Sequence, residues 1–227
     1  MGKKLILVGV GHVFDISEQI RGIISTVNPD AVALELDEDR FYFLLNPSSG
    51  KKSPNILYLL LSKVQDKIAR KYGVSTGSEM VAAAEGAEDV GANILCIDKS
   101  AKDVIEKLWV SIPLKRKILL MLGTLSSIFI SRKKVEKELQ YFEEEPSYYF
   151  EQIDSSFPEF KKVLIDERNE FMCNMLKSYF KNYDVIIAFV GEGHIIGMQK
   201  IIEEENEITL ITIHLKDLRE NNWKKLI

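Results

Sequence analysis

Two apolar runs near opposite ends of the chain break off into the same phrase. The first reads Val8-Gly9-Val10-Gly11-His12-Val13 and the second Val190-Gly191-Glu192-Gly193-His194-Ile195. A run that is apolar at every position suits a strand buried on both faces, which is the habit of parallel sheets covered by helices. Glycines at its exit permit a tight turn and a close backbone approach. Each histidine then falls just past a strand's C-terminal end, where open α/β sheets bind their ligands. The chain has three histidines, and two of them stand in this setting. The expectation is that the imidazoles of His12 and His194 meet across one cleft.

The rest of the chain carries the rhythm such a sheet needs. Lys4 to Val8 reads as a strand. Asp15 and Glu18 read as a capping-box pair opening a helix to Val27, and Asn28-Pro29-Asp30 turns the chain. Ala31 to Leu36 reads as a second strand, so the first two strands form a βαβ unit and run parallel. Glu35 then sits at the exit of the second strand, on the same sheet edge as His12. Phe41 to Leu45 continues as a short helix, residues 46–55 as a loop, and Ile56 to Lys71 has helical spacing. Ser78 to Val90 is an alanine-rich helix with Glu79 in its first turn. Ala92 to Ile97 is a third strand, and Ser100 caps the next helix. Ser156-Phe157-Pro158-Glu159 opens a long helix to about Asn182, with Val163, Leu164, Phe171, Met175 and Leu176 on its core face. Asp184 to Val190 is a fourth strand and Glu207 to Leu215 a fifth. The fold class is therefore α/β: a mostly parallel central sheet flanked by helices, with a helical insertion. At 227 residues this is one domain overall, divided as 1–107, 108–155 and 156–227, the middle segment being the insertion.

A net charge of -4 gives no electrostatic footprint for nucleic acid. Cys96 and Cys173 lie in apolar surroundings and read as buried thiols of a reducing compartment. With no secretory signal at the start, the expected localisation is cytoplasmic. Ile118 to Ile130 is apolar but for Gly123, Thr124, Ser126 and Ser127, and basic residues flank it. It is too short for the ~20 residues a bilayer span needs. It reads as a buried or dimer-forming helix, so a homodimer is expected. Contact of residues 115–134 with a membrane surface is the minority alternative.

Imidazole can exchange a proton near neutral pH and can ligate a metal. Glu35 interrupts an apolar strand at its exit, where an unpaired carboxylate is costly to bury. Its bland alternative is a salt bridge to Arg40 or Arg168. Arg168 stands on the core side of a long helix, where a guanidinium suits a carboxylate or an oxyanion. Glu79 has the helix dipole as its alternative role. Asp98 ends a strand on the same edge and is left as an outer partner. His214 has no glycine context and reads as structural. Neither glycine phrase completes a dinucleotide fingerprint, and there is no P-loop lysine.

Taken together, Gly9-Val10-Gly11-His12, Glu35-Leu36-Asp37-Glu38 with Arg40, the helix of Glu79, Asp166-Glu167-Arg168 and Gly191-Glu192-Gly193-His194 with Gly197 resemble the TraB/PrgY family, in that order and over Lys4 to about Met198. That family is grouped with the Tiki metalloproteases and, more distantly, with erythromycin-esterase-like and ChaN-like proteins. The resemblance implies an α/β core with both histidines and the strand-end glutamate at one site. Tiki proteins are described as proteases activated by manganese or cobalt, and PrgY-type members limit a peptide pheromone. Erythromycin-esterase relatives hydrolyse with the same site, and histidine as base without metal is an option there. Val10 departs from the pattern where a small hydroxyl residue is frequent, and Lys99 where arginine is common.

The expected function is a metal-dependent hydrolase, a peptidase acting on small or signalling peptides. His12, His194 and Glu35 are the metal ligands, for manganese, cobalt, zinc or iron. Glu79 or Glu35 is the general base, and Arg168 or Arg40 steadies the oxyanion. The alternatives are a module that sequesters a peptide without cleaving it, and a metal-independent hydrolase.

Overall fold

The computed structural model describes residues 2–11, 15–46, 77–117, 158–205 and 207–227. His12, the loop and helix read over 46–71 beyond Asn46, and the apolar stretch Ile118 to Ile130 lie outside the described residues. Chain contacts divide the molecule into two compact units. The first is Met1–Ala101 with Arg168–Ile227, and the second is Lys102–Glu167.

The first unit is a five-stranded sheet in which every pairing is parallel. Its strands are β1 (Lys3–Val10), β2 (Ala31–Leu34), β3 (Asn93–Cys96), β4 (Val185–Gly191) and β5 (Ile208–Ile213), in the order β3-β2-β4-β1-β5. The helices are α1 (Ser17–Val27), α2 (Glu38–Leu45), α3 (Ser78–Val90), α4 (Ala101–Ser111), α5 (Pro158–Lys161), α6 (Glu167–Tyr179), α7 (Glu192–Glu203) and α8 (Leu215–Arg219).

Side chains alternate across a strand, so a strand apolar at every position feeds two cores. In β1, Ile6, Val8 and Val10 enter one core with Ile20, Ile23 and Ile24 of α1 and the alanines of α3. Leu5 and Leu7 enter the other, with Met172, Cys173 and Leu176 of α6 and Ile195, Met198 and Ile202 of α7. The chain leaving β1 thus goes to one face of the sheet, and the chain leaving its neighbour β4 goes to the other. In open α/β sheets such a divergence marks the strand ends where ligands usually bind.

Register brings the two glycine phrases side by side: Gly9 pairs with Val190 and Val10 with Gly191. Each phrase also has a carboxylate pressed on its glycine. A Cβ on Gly9 would lie 2.0 Å from Oε2 of Glu192, and one on Gly191 would lie 3.3 Å from Oε2 of Glu35. Neither glycine has positive φ, so here glycine serves close approach, not an unusual backbone.

Several local expectations need correction. Asp15 and Glu18 do not form a capping box: α1 has no side-chain cap, and Asp15 accepts only from the Ser17 N–H at 3.3 Å. The second strand stops at Leu34, which leaves Glu35 beyond it. The next helix starts early, at Glu38, because Asp37 caps it by accepting from the Arg40 N–H at 2.8 Å. The same carboxylate accepts from the Ala101 N–H at 3.0 Å at the start of α4. The long helix is interrupted by a π turn over Lys162–Asp166. A π turn holds an extra residue, so the apolar stripe beyond it shifts phase. The buried positions of α6 are Asn169, Met172, Cys173 and Leu176, not Phe171 and Met175.

The second unit has its own small core of Val104, Leu108, Ile112 and Val163, with Phe160 and Leu164 against it. Arg116 donates to both carboxylate oxygens of Glu159, at 2.7 and 2.6 Å.

Candidate functional site

Glu35 follows β2 directly and turns its carboxylate toward β4. Its Oε2 accepts from the Gly191 N–H at 2.6 Å, and its Oε1 is ion-paired with Arg168 and lies 3.3 Å from Nε2 of His194. Burial pulls this carboxyl upward. The hydrogen bond and charge of His194, the charge of Arg168 and the Gly191 N–H outweigh that and hold it well below the usual carboxylate range. Glu35 is therefore a fixed anion at neutral pH.

Arg168 is the second residue of α6, just after the π turn. Its Nε donates to Oδ1 of Asp98 at 3.0 Å and its Nη2 to Oδ2 at 2.7 Å, a bidentate clamp in the geometry guanidinium favours. Burial draws its pKa down, but Asp98 and Glu35 together raise it, so it stays charged. Arg40 donates to Asp37 at 2.9 Å through Nε, to Asp98 through Nη2 and to the Glu35 carbonyl at 3.3 Å. Asp98, expected as an outer partner, is the shared centre of both arginines, with a side chain only 2% exposed.

His194 lies in the first turn of α7 and is 3% exposed. Its Nδ1 sits 2.6 Å from Oδ1 of Asn169. Both ring nitrogens thus face oxygens that can only accept. A neutral imidazole carries one N–H, which satisfies one of the two. The other nitrogen needs a proton, giving imidazolium, or a cation between it and Glu35. This is the most informative chemical fact about the site.

The structure thus brings Glu35, His194, Arg168 and Arg40 together, with Asp98 and Asn169 added. His12 lies outside the described residues. Glu79 is 1% exposed in the first turn of α3, on the helix that packs against α1. Asn169 was legible in principle, since it is a polar residue on an apolar stripe, but the phase shift of the π turn hid it. His214, read as structural, pairs with Glu192. Its Nδ1 lies 2.7 Å from Oε1 of Glu192, whose Oε2 accepts from the Leu215 N–H at 2.8 Å. Beside the Arg40–Asp98 pair opens a pocket of about 290 Å³ lined by Asp37, Glu38, Asp39, Cys96, Asp98 and Ser100.

Among the described residues, no group of three or more His, Cys, Asp or Glu is disposed to hold a metal ion. Two of the three expected donors are present and face each other. A ligand distance of about 2.1 Å with tetrahedral angles puts neighbouring donors roughly 3.4 Å apart. The His194 Nε2–Glu35 Oε1 separation is 3.3 Å, and the same Oε1 is ion-paired with Arg168. Among the described residues no helix is long and apolar enough to cross a membrane.

Comparison with known proteins gives three findings. The model of the TraB/PrgY/gumN family matches residues 1–208. An uncharacterised protein of Methanocaldococcus jannaschii is 31% identical over 236 aligned positions, which cover 97% of this chain and 59% of the relative. The chain thus spans about three fifths of that relative's length. A solved structure described as cofacial heme binding to ChaN of Campylobacter jejuni aligns with 92% of this chain and 80% of its own, at 15% identity and a TM-score of 0.40.

Proposed function

This chain belongs to the TraB/PrgY/gumN family, and from that premise we propose that it is a metal-dependent hydrolase acting on small or signalling peptides. One observation carries the reading: His194 presents a ring nitrogen to an ionised carboxylate at 3.3 Å with its other nitrogen already committed. Either a proton on Nε2 or a cation can fill that gap, and the proposal takes the cation.

In this reading His194 and Glu35 are two ligands and His12 the third. Val10 is paired with Gly191 at the strand ends. His12, two residues beyond Val10 in the sequence, is taken as the third ligand on the strength of the repeated phrase alone. Manganese, cobalt, zinc and iron all accept such a donor set. A bound divalent ion supplies Lewis acidity and a more acidic water. The chain supplies the rest. Glu35 stays anionic because Arg168 and the Gly191 N–H hold it. Arg168 and Arg40 are tied to Asp98, so their first task is to keep that carboxylate placed. Steadying the oxyanion is the second role the proposal keeps for Arg168 or Arg40. Glu79, the second carboxylate, takes the proton of the attacking water as general base and returns it to the leaving amine. The peptide ligand, a homodimer and membrane-surface contact through 115–134 belong to the same proposal.

A metal-independent hydrolase is the second reading, because a proton on Nε2 satisfies the same two acceptors. The deciding experiment is a peptide-library cleavage assay on purified protein with and without chelator. The proposal expects cleavage that chelator abolishes and added manganese, cobalt or zinc restores. Cleavage that survives chelator yet fails in H194A supports the metal-free enzyme. Binding without cleavage under every metal supports a sequestering module.

A further inference from the structure

Glu192 and His214 make a second carboxylate–imidazole pair on the sheet edge that carries Glu35 and His194. Oε1 of Glu192 lies 2.7 Å from Nδ1 of His214, and its Oε2 accepts from the Leu215 N–H at 2.8 Å. An ionised carboxylate can only accept, so Nδ1 carries a proton. Among the described residues nothing hydrogen-bonds to Nε2. The His214 side chain is 42% exposed, against 4% for His194. We propose that His214 is a catalytic residue: braced by Glu192, it gives the proton on Nε2 to the leaving group of the substrate.

The placement has its own signature in the sequence. Glu192 follows β4, His214 follows β5, and β1 lies between those strands. To reach the ring, the carboxylate crosses the end of β1, where Val8 pairs with Ile213. Gly9 lets it cross, since a Cβ there would lie 2.0 Å from Oε2 of Glu192. The helix start explains only the backbone of His214, whose N–H donates to Asp217 at 3.0 Å. It makes no use of the ring. The two pairs are also neighbours. The Gly191 N–H holds Glu35, and Glu192 is the next residue. One imidazole is buried and placed, while the other is open and can exchange protons with substrate and water.

The inference rests on the hydrolase reading and refines its second proton transfer. As the scissile C–N bond breaks, its electron pair goes to nitrogen, which takes the proton from Nε2 of the imidazolium. The neutral imidazole regains a proton from water, and Glu79 releases to water the proton it took from the attacking water. Glu192 accepts from Nδ1 throughout, so the ring keeps its place and has a counter-charge while it is a cation.

The test varies the leaving group. Wild type, H214Q and G9A, with the metal that supports cleavage, are given a library peptide that wild type cleaves and the p-nitrophenyl ester of its acyl half. Nitrophenolate leaves without a proton. H214Q lowers kcat on the peptide by about a hundredfold or more at unchanged KM and keeps the ester turnover. G9A, which displaces the carboxylate, shows the same selective loss and decides the matter should H214Q fail to fold. A readout without substrate accompanies these. On chelator-treated protein at alkaline pH, diethyl pyrocarbonate acylates His214, seen by mass spectrometry, and does so more slowly in G9A and E192Q. Equal losses on peptide and ester, or equal labelling in all three proteins, overturn the inference. Peptide cleavage by H214Q at the wild-type rate overturns it while the hydrolase reading stands. A wild-type protein that cleaves no peptide overturns both.

Discussion

Glu35 shows how single residues make this site costly to disturb. Its carboxylate is the counter-ion of a guanidinium that is itself mostly buried, at 14% side-chain exposure for each. E35Q keeps the shape and removes the charge, while Asp98 continues to neutralise Arg168. The expected loss is about 2 kcal/mol, the scale of a hydrogen bond to a charged group, read as a lower urea midpoint at pH 7. The acid limb follows from the same pairing. The folded pKa of Glu35 lies below its unfolded value. Its stabilisation is therefore complete above the ordinary carboxylate range and fades as acid protonates the folded form. Urea midpoints from neutral pH down through about pH 4 and below fall less steeply in E35Q than in wild type. The thiols behave oppositely. Burial, with Glu38 and Asp37 adding to it against Arg40, pushes Cys96 up to about 11. Burial pushes Cys173 up to about 12, against a small pull from Lys177. Neither reacts with a disulfide reagent at neutral pH until denaturant is added, since the thiolate is the nucleophile.

Elements carry the site by where they start. The sheet was legible because Leu5 to Val8 and Ile186 to Val190 leave no polar position, and such runs are stable only with helices on both faces. Starts and phases were less legible. Asp37 caps one helix and accepts from the first N–H of another, and the second contact joins residues far apart in sequence that no local pattern connects. The π turn before Arg168 moved the buried stripe by one place, and with it the amide that lies against the His194 ring. The small side chains of the α3 alanines permit close packing. Ala83 is fully buried in the core that α3 shares with α1. A83L therefore overpacks that contact and costs about 1–3 kcal/mol, read as a lower melting temperature. At the other core, M198A removes a fully buried side chain of α7 and costs about 2–5 kcal/mol. Its melting curve shows the loss whether or not the protein hydrolyses anything.

For the whole molecule, the decisive fact is that two adjacent parallel strands send their chains to opposite faces. β1 and β4 end in the same glycine phrase, and a carboxylate lies against Gly9 and another against Gly191, where a Cβ would stand. The parallel character of the two strands that carry the phrases was readable from their unbroken apolar runs. The central position of Asp98 was not, because its role depends on two arginines from different helices. The measurement that tests the central claim most directly is equilibrium binding of manganese and zinc to chelator-treated protein, by calorimetry, for wild type, H12N, H194N and E35Q. The account predicts one ion per chain in wild type and affinity weakened at least 10–100-fold in each variant, since a change to an outer partner alone costs that much. Wild-type affinity in E35Q and H194N, or no binding by wild-type protein, would contradict it.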